Sequence, residues 1–91
     1  MPELPAELVY AFDPVPADTT PEQASLVLGS EACLWTENVT ESGVWAKTFP
    51  RLLAFSEVVW SPQSARQWES FRGRMSAHLR RLETMGITYF A

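Results

Sequence analysis

Apolar positions change their spacing along this chain, and each change marks an element. Up to about residue 20 the chain is punctuated by Pro2, Pro5, Pro14 and Pro16, each of which opposes a helix or a central strand. Within that stretch Leu8, Tyr10 and Phe12 alternate with Val9, Ala11 and Asp13, which predicts a short, half-buried extended piece. Thr20-Pro21-Glu22-Gln23 is a helix start: Thr20 caps, Pro21 suits the first helical position, and Gln23 completes a capping box. That helix is held to one or two turns because Leu26 already opens the next apolar run. Val27-Leu28-Gly29-Ser30-Glu31-Ala32-Cys33-Leu34-Trp35 is short, apolar and bounded by turn formers, and it predicts a buried strand over about Leu26 to Trp35.

Beyond the strand the period becomes helical. Asn38 to Gly43 is a polar loop with Ser42 as a candidate N-cap. Asn38-Val39-Thr40 also fits a glycosylation acceptor, a three-residue match that arises often by chance. A helix over about Val44 to Trp60 follows, kinked or restarted at Pro50. Trp45, Phe49, Leu52, Leu53, Phe55, Val59 and Trp60 leave it little polar surface, so it packs on more than one side. Glu57 lies amid that surface, which implies an internal ion pair with Arg51 as candidate partner. Ser61-Pro62 makes a turn, and a second helix is predicted over about Ser64 to Met85. Trp68, Phe71, Met75, Leu79, Leu82 and Met85 form its apolar stripe, opposite Arg66, Glu69, Arg72, Arg80 and Glu83. Gly86 is placed for a left-handed cap, and Ile87 to Phe90 is an apolar tail that needs a surface to dock on.

Composition narrows the picture. Ninety-one residues, 46% of them hydrophobic, suit one small folded domain with a modest core. Cys33, alone, makes no internal disulfide and reads as a small buried hydrophobe. The net charge of −4 hides an asymmetry: residues 1–46 hold eight acids and no Lys or Arg, and all seven basic residues follow. Those arginines alternate with apolar residues at helical spacing, so a solvated helix face accounts for them and no nucleic-acid partner is expected. Met1 is not followed by a basic stretch and an apolar core, so no signal peptide is expected in this chain, and no stretch approaches the length of a membrane span. His78 has no second histidine or cysteine at ligand spacing, so a structural or exposed role is expected; neither metal nor cofactor is.

Candidate chemistry lies at the end of the strand. Side chains two apart on a strand share a face, so Trp35 and Glu37 project together if the extended geometry continues through Thr36. An aromatic wall beside a carboxylate suits a sugar, whose C–H faces stack and whose hydroxyls need acceptors. The other reading is a tryptophan capping a core and a glutamate solvated in the next loop. No catalytic set closes within the chain: there is no acidic dipeptide, no Ser/His/Asp constellation and no phosphate-binding glycine loop. One strand and two helices also cannot make a sheet by themselves, so the chain reads as a piece of something larger.

Six ordered blocks carry a resemblance. They are Tyr10-Ala11-Phe12-Asp13-Pro14-Val15-Pro16, Thr20-Pro21-Glu22-Gln23-Ala24, Val27-Leu28-Gly29, Leu34-Trp35-Thr36-Glu37, Phe49-Pro50-Arg51-Leu52-Leu53-Ala54 and Glu57-Val58-Val59-Trp60-Ser61-Pro62. Together they resemble the end of the catalytic domain of family 20 glycoside hydrolases, the β-N-acetylhexosaminidases. The resemblance implies an α/β fold, the C-terminal fragment of a (β/α)₈ TIM barrel: residues 1–25 the loop after strand seven, 26–35 strand eight, 44–60 and 64–85 the closing helices. A whole barrel of this kind takes about 250 residues, with its active site where the strands end. The implied chemistry is retaining and substrate-assisted: the acetamido oxygen attacks the anomeric carbon, a glutamic acid protonates the leaving oxygen, and the preceding aspartate orients the acetamido group. That Asp-Glu pair and the family's assisting tyrosine belong upstream, so no residue here is catalytic. Trp35 is implied in the acetamido pocket, and Glu37 as acceptor for hydroxyls of a terminal N-acetylhexosamine. For the whole enzyme the resemblance implies a glycan substrate and a secreted, periplasmic or lysosomal setting; for the chain alone it implies inactivity and self-association. The alternative is a stand-alone interaction or sugar-binding protein derived from the barrel end.

Overall fold

The C-terminal third follows its apolar stripe into the longest element of the molecule. In the computed structural model, which describes residues 4–35, 37 and 39–89, helix α5 spans Trp68–Thr84 and buries Phe71 and Leu82. Gly86 ends it at φ 76°, with Ile87 N–H donating to Leu82 O at 2.9 Å and Gly86 N–H to Glu83 O at 3.0 Å. A side chain at that φ would be strained, which is why glycine stands there. Before α5 come α1 (Ala6–Tyr10), α2 (Pro21–Ala24), α3 (Val44–Thr48) and α4 (Arg51–Trp60), with 3₁₀ turns at Glu41–Gly43 and Gln63–Ala65. The capping box at α2 is complete: Thr20 Oγ1 accepts from Gln23 N–H at 3.2 Å, and the Gln23 side chain accepts from Thr20 N–H at 3.1 Å.

Several expectations need correction. Leu26 to Trp35 forms no strand, and no described residue does. A strand exists only where a neighbour takes its backbone donors and acceptors; here, among the described residues, 28–35 make no backbone hydrogen bond. Cys33 is accordingly exposed, not buried. The alternating stretch at residues 8–12 is partly helical instead. Pro5 at the N-cap of α1 costs no intrahelical bond, and Ala6, Val9 and Tyr10, at helical spacing, turn one face to the core. The helix expected over 44–60 is two helices, since Pro50 has no N–H to continue the first, and Phe49 is extended (φ −106°, ψ 144°). Ser42 is not an N-cap: Thr40 occupies that position of the 3₁₀ turn and Gly43 that of α3, neither with a side-chain capping bond. The last helix starts at Trp68 rather than 64, after the 3₁₀ turn and an extended Arg66 and Gln67.

The core is small and built around one aromatic. Tyr10 (6% exposed), Ala54, Val58 and Phe71 form it, with Leu53, Trp68 and Met75 packed against them. The Tyr10 ring stacks on Phe71 at 4.7 Å between centroids and lies tilted against Trp68 at 5.7 Å. Ala54 is fully buried, its lack of bulk letting Tyr10 and Phe71 close over α4. The Tyr10 hydroxyl donates to Glu57 Oε2 at 2.6 Å, and the Arg74 guanidinium grips both Glu57 oxygens, Nη2 at 2.8 Å from Oε2. The partner of Glu57 is therefore Arg74 of α5, not Arg51, which donates to the Lys47 carbonyl. One carboxylate thus joins α1, α4 and α5.

The Arg74 hydrogen bonds hold the Glu57 carboxyl below its ordinary value of 4.5; burial opposes this in part, and the Tyr10 hydroxyl adds to it. Burial, and then the bond to Glu57, push the Tyr10 phenol above 10.0. The native state thus favours ionised Glu57 and neutral Tyr10. The stabilisation from Glu57 is present above about pH 4.5 and is lost as pH falls through the lower folded value; that from Tyr10 is present below pH 10.0 and is lost as pH rises past it. Urea midpoints measured across pH should be flat between those limits and fall on both sides. Tyr10→Phe keeps the ring and deletes the charge-assisted bond, so it should cost about 1.5 kcal/mol at neutral pH. It should also remove the alkaline fall that belongs to this phenol.

Candidate functional site

The run that carries the proposed sugar-facing residues is flanked by cavities on both sides. On one, a cavity of about 630 Å³ lies between Asp13 to Pro16, Val27 to Gly29 and the α4 end, with Arg66 in its wall. On the other, a groove of about 550 Å³ runs between Val9, Ala32 to Leu34, and Arg51, Leu52 and Phe55 of α4. The segment from 27 to 34 is thus neighboured by side chains of the N-terminal stretch and α4 without being paired to either. Its apolar residues face water: Leu28 is 98% exposed and Leu26 77%.

Trp35 ends this run at 74% exposure, and Glu37 follows in an exposed turn. Thr36 and Asn38 lie outside the described residues, and with them the geometry linking Trp35 to Glu37 and the glycosylation-like triplet. The two residues present an indole face and a carboxylate to solvent. Between Glu31 and Lys47 the sequence has acids at 31, 37 and 41 and no base, so this end of the molecule offers acceptors, as sugar hydroxyls require.

Elsewhere the described residues hold less chemistry. No three of His, Cys, Asp and Glu come together as a metal would need. No helix is long and apolar enough to cross a membrane. His78 is exposed, its Nδ1 2.9 Å from Arg81 Nη1. What residue reasoning missed is the Tyr10–Glu57–Arg74 junction, whose members are 47 and 17 positions apart. One signal was present: Arg74 sits between Phe71 and Met75, beside the apolar stripe of α5 instead of opposite it.

Comparison with known proteins places the chain. Residues 3–63 match the sequence profile described as "Glycosyl hydrolase family 20, catalytic domain". The chain is 35% identical over 86 residues to the "Beta-hexosaminidase" of Porphyromonas gingivalis, covering 93% of this chain and 11% of that protein. It is 35% identical over 79 residues to the "Beta-hexosaminidase subunit beta" of Felis catus, covering 87% and 15%. With the "Beta-N-acetylhexosaminidase" of Cellulomonas fimi it shares 34% over 87 residues, covering 93% and 18%. The chain therefore spans between 11 and 18% of the length of these relatives. The profile match covers two-thirds of the chain and includes both Trp35 and Glu37, so the chain belongs to glycosyl hydrolase family 20.

Proposed function

We propose that this chain is the C-terminal part of the catalytic barrel of a β-N-acetylhexosaminidase, and that it supplies substrate-binding groups and no catalytic ones. In this reading residues 1–25 are the loop after strand seven, 26–35 are strand eight, and α3 to α5 are the closing helices. Trp35 walls the pocket for the acetamido methyl, and Glu37 accepts hydrogen bonds from hydroxyls of a terminal N-acetylhexosamine. The observation that carries the reading is the family match across Trp35-Thr36-Glu37 at the end of an apolar run left open to water. Leu28 at 98% exposure makes sense for a residue whose neighbours are strands of a barrel. The reaction is a retaining hydrolysis in which the substrate's acetamido oxygen is the nucleophile, and an Asp-Glu pair from the rest of the barrel supplies orientation and the proton. The sequence has no Asp-Glu dipeptide to do this.

Two outcomes test the reading. The isolated chain should not hydrolyse an aryl N-acetyl-β-glucosaminide above background, because positioned acid catalysis alone is worth about 10²–10⁴-fold. Turnover by the purified chain that disappears in Trp35→Ala would overturn this. With the same segment in a complete barrel, Glu37→Gln keeps the shape and loses a charged acceptor worth about 1.5–3 kcal/mol per hydrogen bond. At about 1.4 kcal/mol per tenfold, kcat/KM should fall roughly ten- to a hundredfold. Trp35→Ala should cost at least as much, most on N-acetylated substrates. Wild-type kcat/KM in both variants would remove Trp35 and Glu37 from the site. Alone, the chain should also self-associate through its open apolar run, and sedimentation over a range of concentrations reads that directly.

A further inference from the structure

We propose that the run ending at Trp35 is a docking strand, through which this 91-residue chain seats itself, unlinked, in a family 20 barrel that lacks the same segment; this rests on the reading of that run as a barrel strand. Two observations carry it. The run is open: among the described residues 28–35 make no backbone hydrogen bond, and Leu28 is 98% exposed. The helices beside it are assembled without it. Tyr10, Ala54, Val58 and Phe71 bury one another, and Arg74 and Tyr10 meet on the Glu57 carboxylate. Open cavities lie between the run and those helices, so residues 28–35 can pair with a partner without first giving up a backbone hydrogen bond of their own. A chain whose helices are already packed has less to order when it docks.

The pattern of the run names its partner. In an extended chain Leu28, Ser30, Ala32 and Leu34 face one way and Gly29, Glu31, Cys33 and Trp35 the other, so each face carries a single polar side chain. A strand added to an open antiparallel sheet turns a polar face to water, whereas one covered on both faces belongs to a parallel sheet roofed by helices. The chain brings helices for one side: Leu52 and Phe55 of α4 line the groove with Ala32, Cys33 and Leu34. The family match runs through the run and α4 together, so both belong to one piece of the domain. What remains to be supplied is a strand on each edge, and a barrel missing one strand offers two edges across a single gap. A second copy of this chain offers no such gap, so it satisfies the run less fully.

The partner for the test is a family 20 β-N-acetylhexosaminidase shortened to end before the segment this chain matches. It is chosen because its own excised segment, added back as a separate chain, restores hydrolysis. Mixed with the 91-residue chain, it should gain saturable hydrolysis of an aryl N-acetyl-β-glucosaminide. The gain over either part alone should be about a hundredfold or more, the lower end of what positioned acid catalysis contributes. Amides of residues 28–35 should become protected from exchange in the same mixture. Leu28→Glu should lose both effects, at a side chain exposed enough that the chain's own packing is spared. Trp35→Ala should keep the protection and lose the hydrolysis. A wild-type mixture with neither protection nor hydrolysis overturns the proposal. So does protection that builds with the chain's own concentration and ignores the barrel, which gives the run to a second copy. Protection with Trp35→Ala hydrolysing like the wild type sustains the docking and removes Trp35 from the sugar, so the two readings fail separately.

Discussion

A run of extended backbone must give its N–H and C=O groups to something, and in this molecule nothing described takes those of residues 28–35. Most of the structure's character follows from that. Left to water, the run exposes Leu26, Leu28 and Trp35 and carries Cys33 outward with them. What order the chain has comes instead from local helices, whose hydrogen bonds close within each segment, and from one junction among them. Helices of four and five residues such as α1 and α2 have no stability in isolation. α2 is held by its capping box, and α1 by the burial of Tyr10.

The junction shows how a small core can be specified by one carboxylate. Glu57 lies on α4 at 17% side-chain exposure, and the Arg74 grip together with the Tyr10 hydroxyl accounts for both its oxygens. Removing a partner would leave a half-buried carboxylate under-satisfied, whereas the complete set ties α1 and α5 to α4 through one side chain. Aromatic packing completes the joint: Phe71 takes Tyr10 on its face, and the Arg74 guanidinium lies 5.8 Å from the same phenylalanine ring. Residues beyond the family match thereby become structural partners of residues inside it.

Features whose causes are local were legible in the sequence. The capping box at Thr20, the break at Pro50, the stripe of α5 and the left-handed Gly86 depend on residues within a turn or two of one another. The errors have one common source, namely partners distant in the chain or outside it. Residues 26–35 have the composition of a strand, but a strand is a property of a pair. The stretch from 6 to 10 is short enough to satisfy either period, and the decision went to helix because Tyr10 docks on α4. Arg51 is close to Glu57 in sequence, but the guanidinium that reaches it comes from the next helix. The candidate pair Trp35 and Glu37 was legible as residue types and spacing, and the family match includes both; their function as a sugar site remains the proposal to be tested.

That proposal makes the backbone of the apolar run the most direct witness. Amide hydrogen exchange over Val27 to Leu34 can be compared between the isolated chain and a complete family 20 barrel carrying the same segment. The account predicts amides that exchange as in an open chain when the segment is alone, and that are protected by orders of magnitude when strand neighbours flank it. Equally fast exchange in the complete barrel would contradict the assignment of this run as a barrel strand, and with it the placement of Trp35 and Glu37 at the sugar.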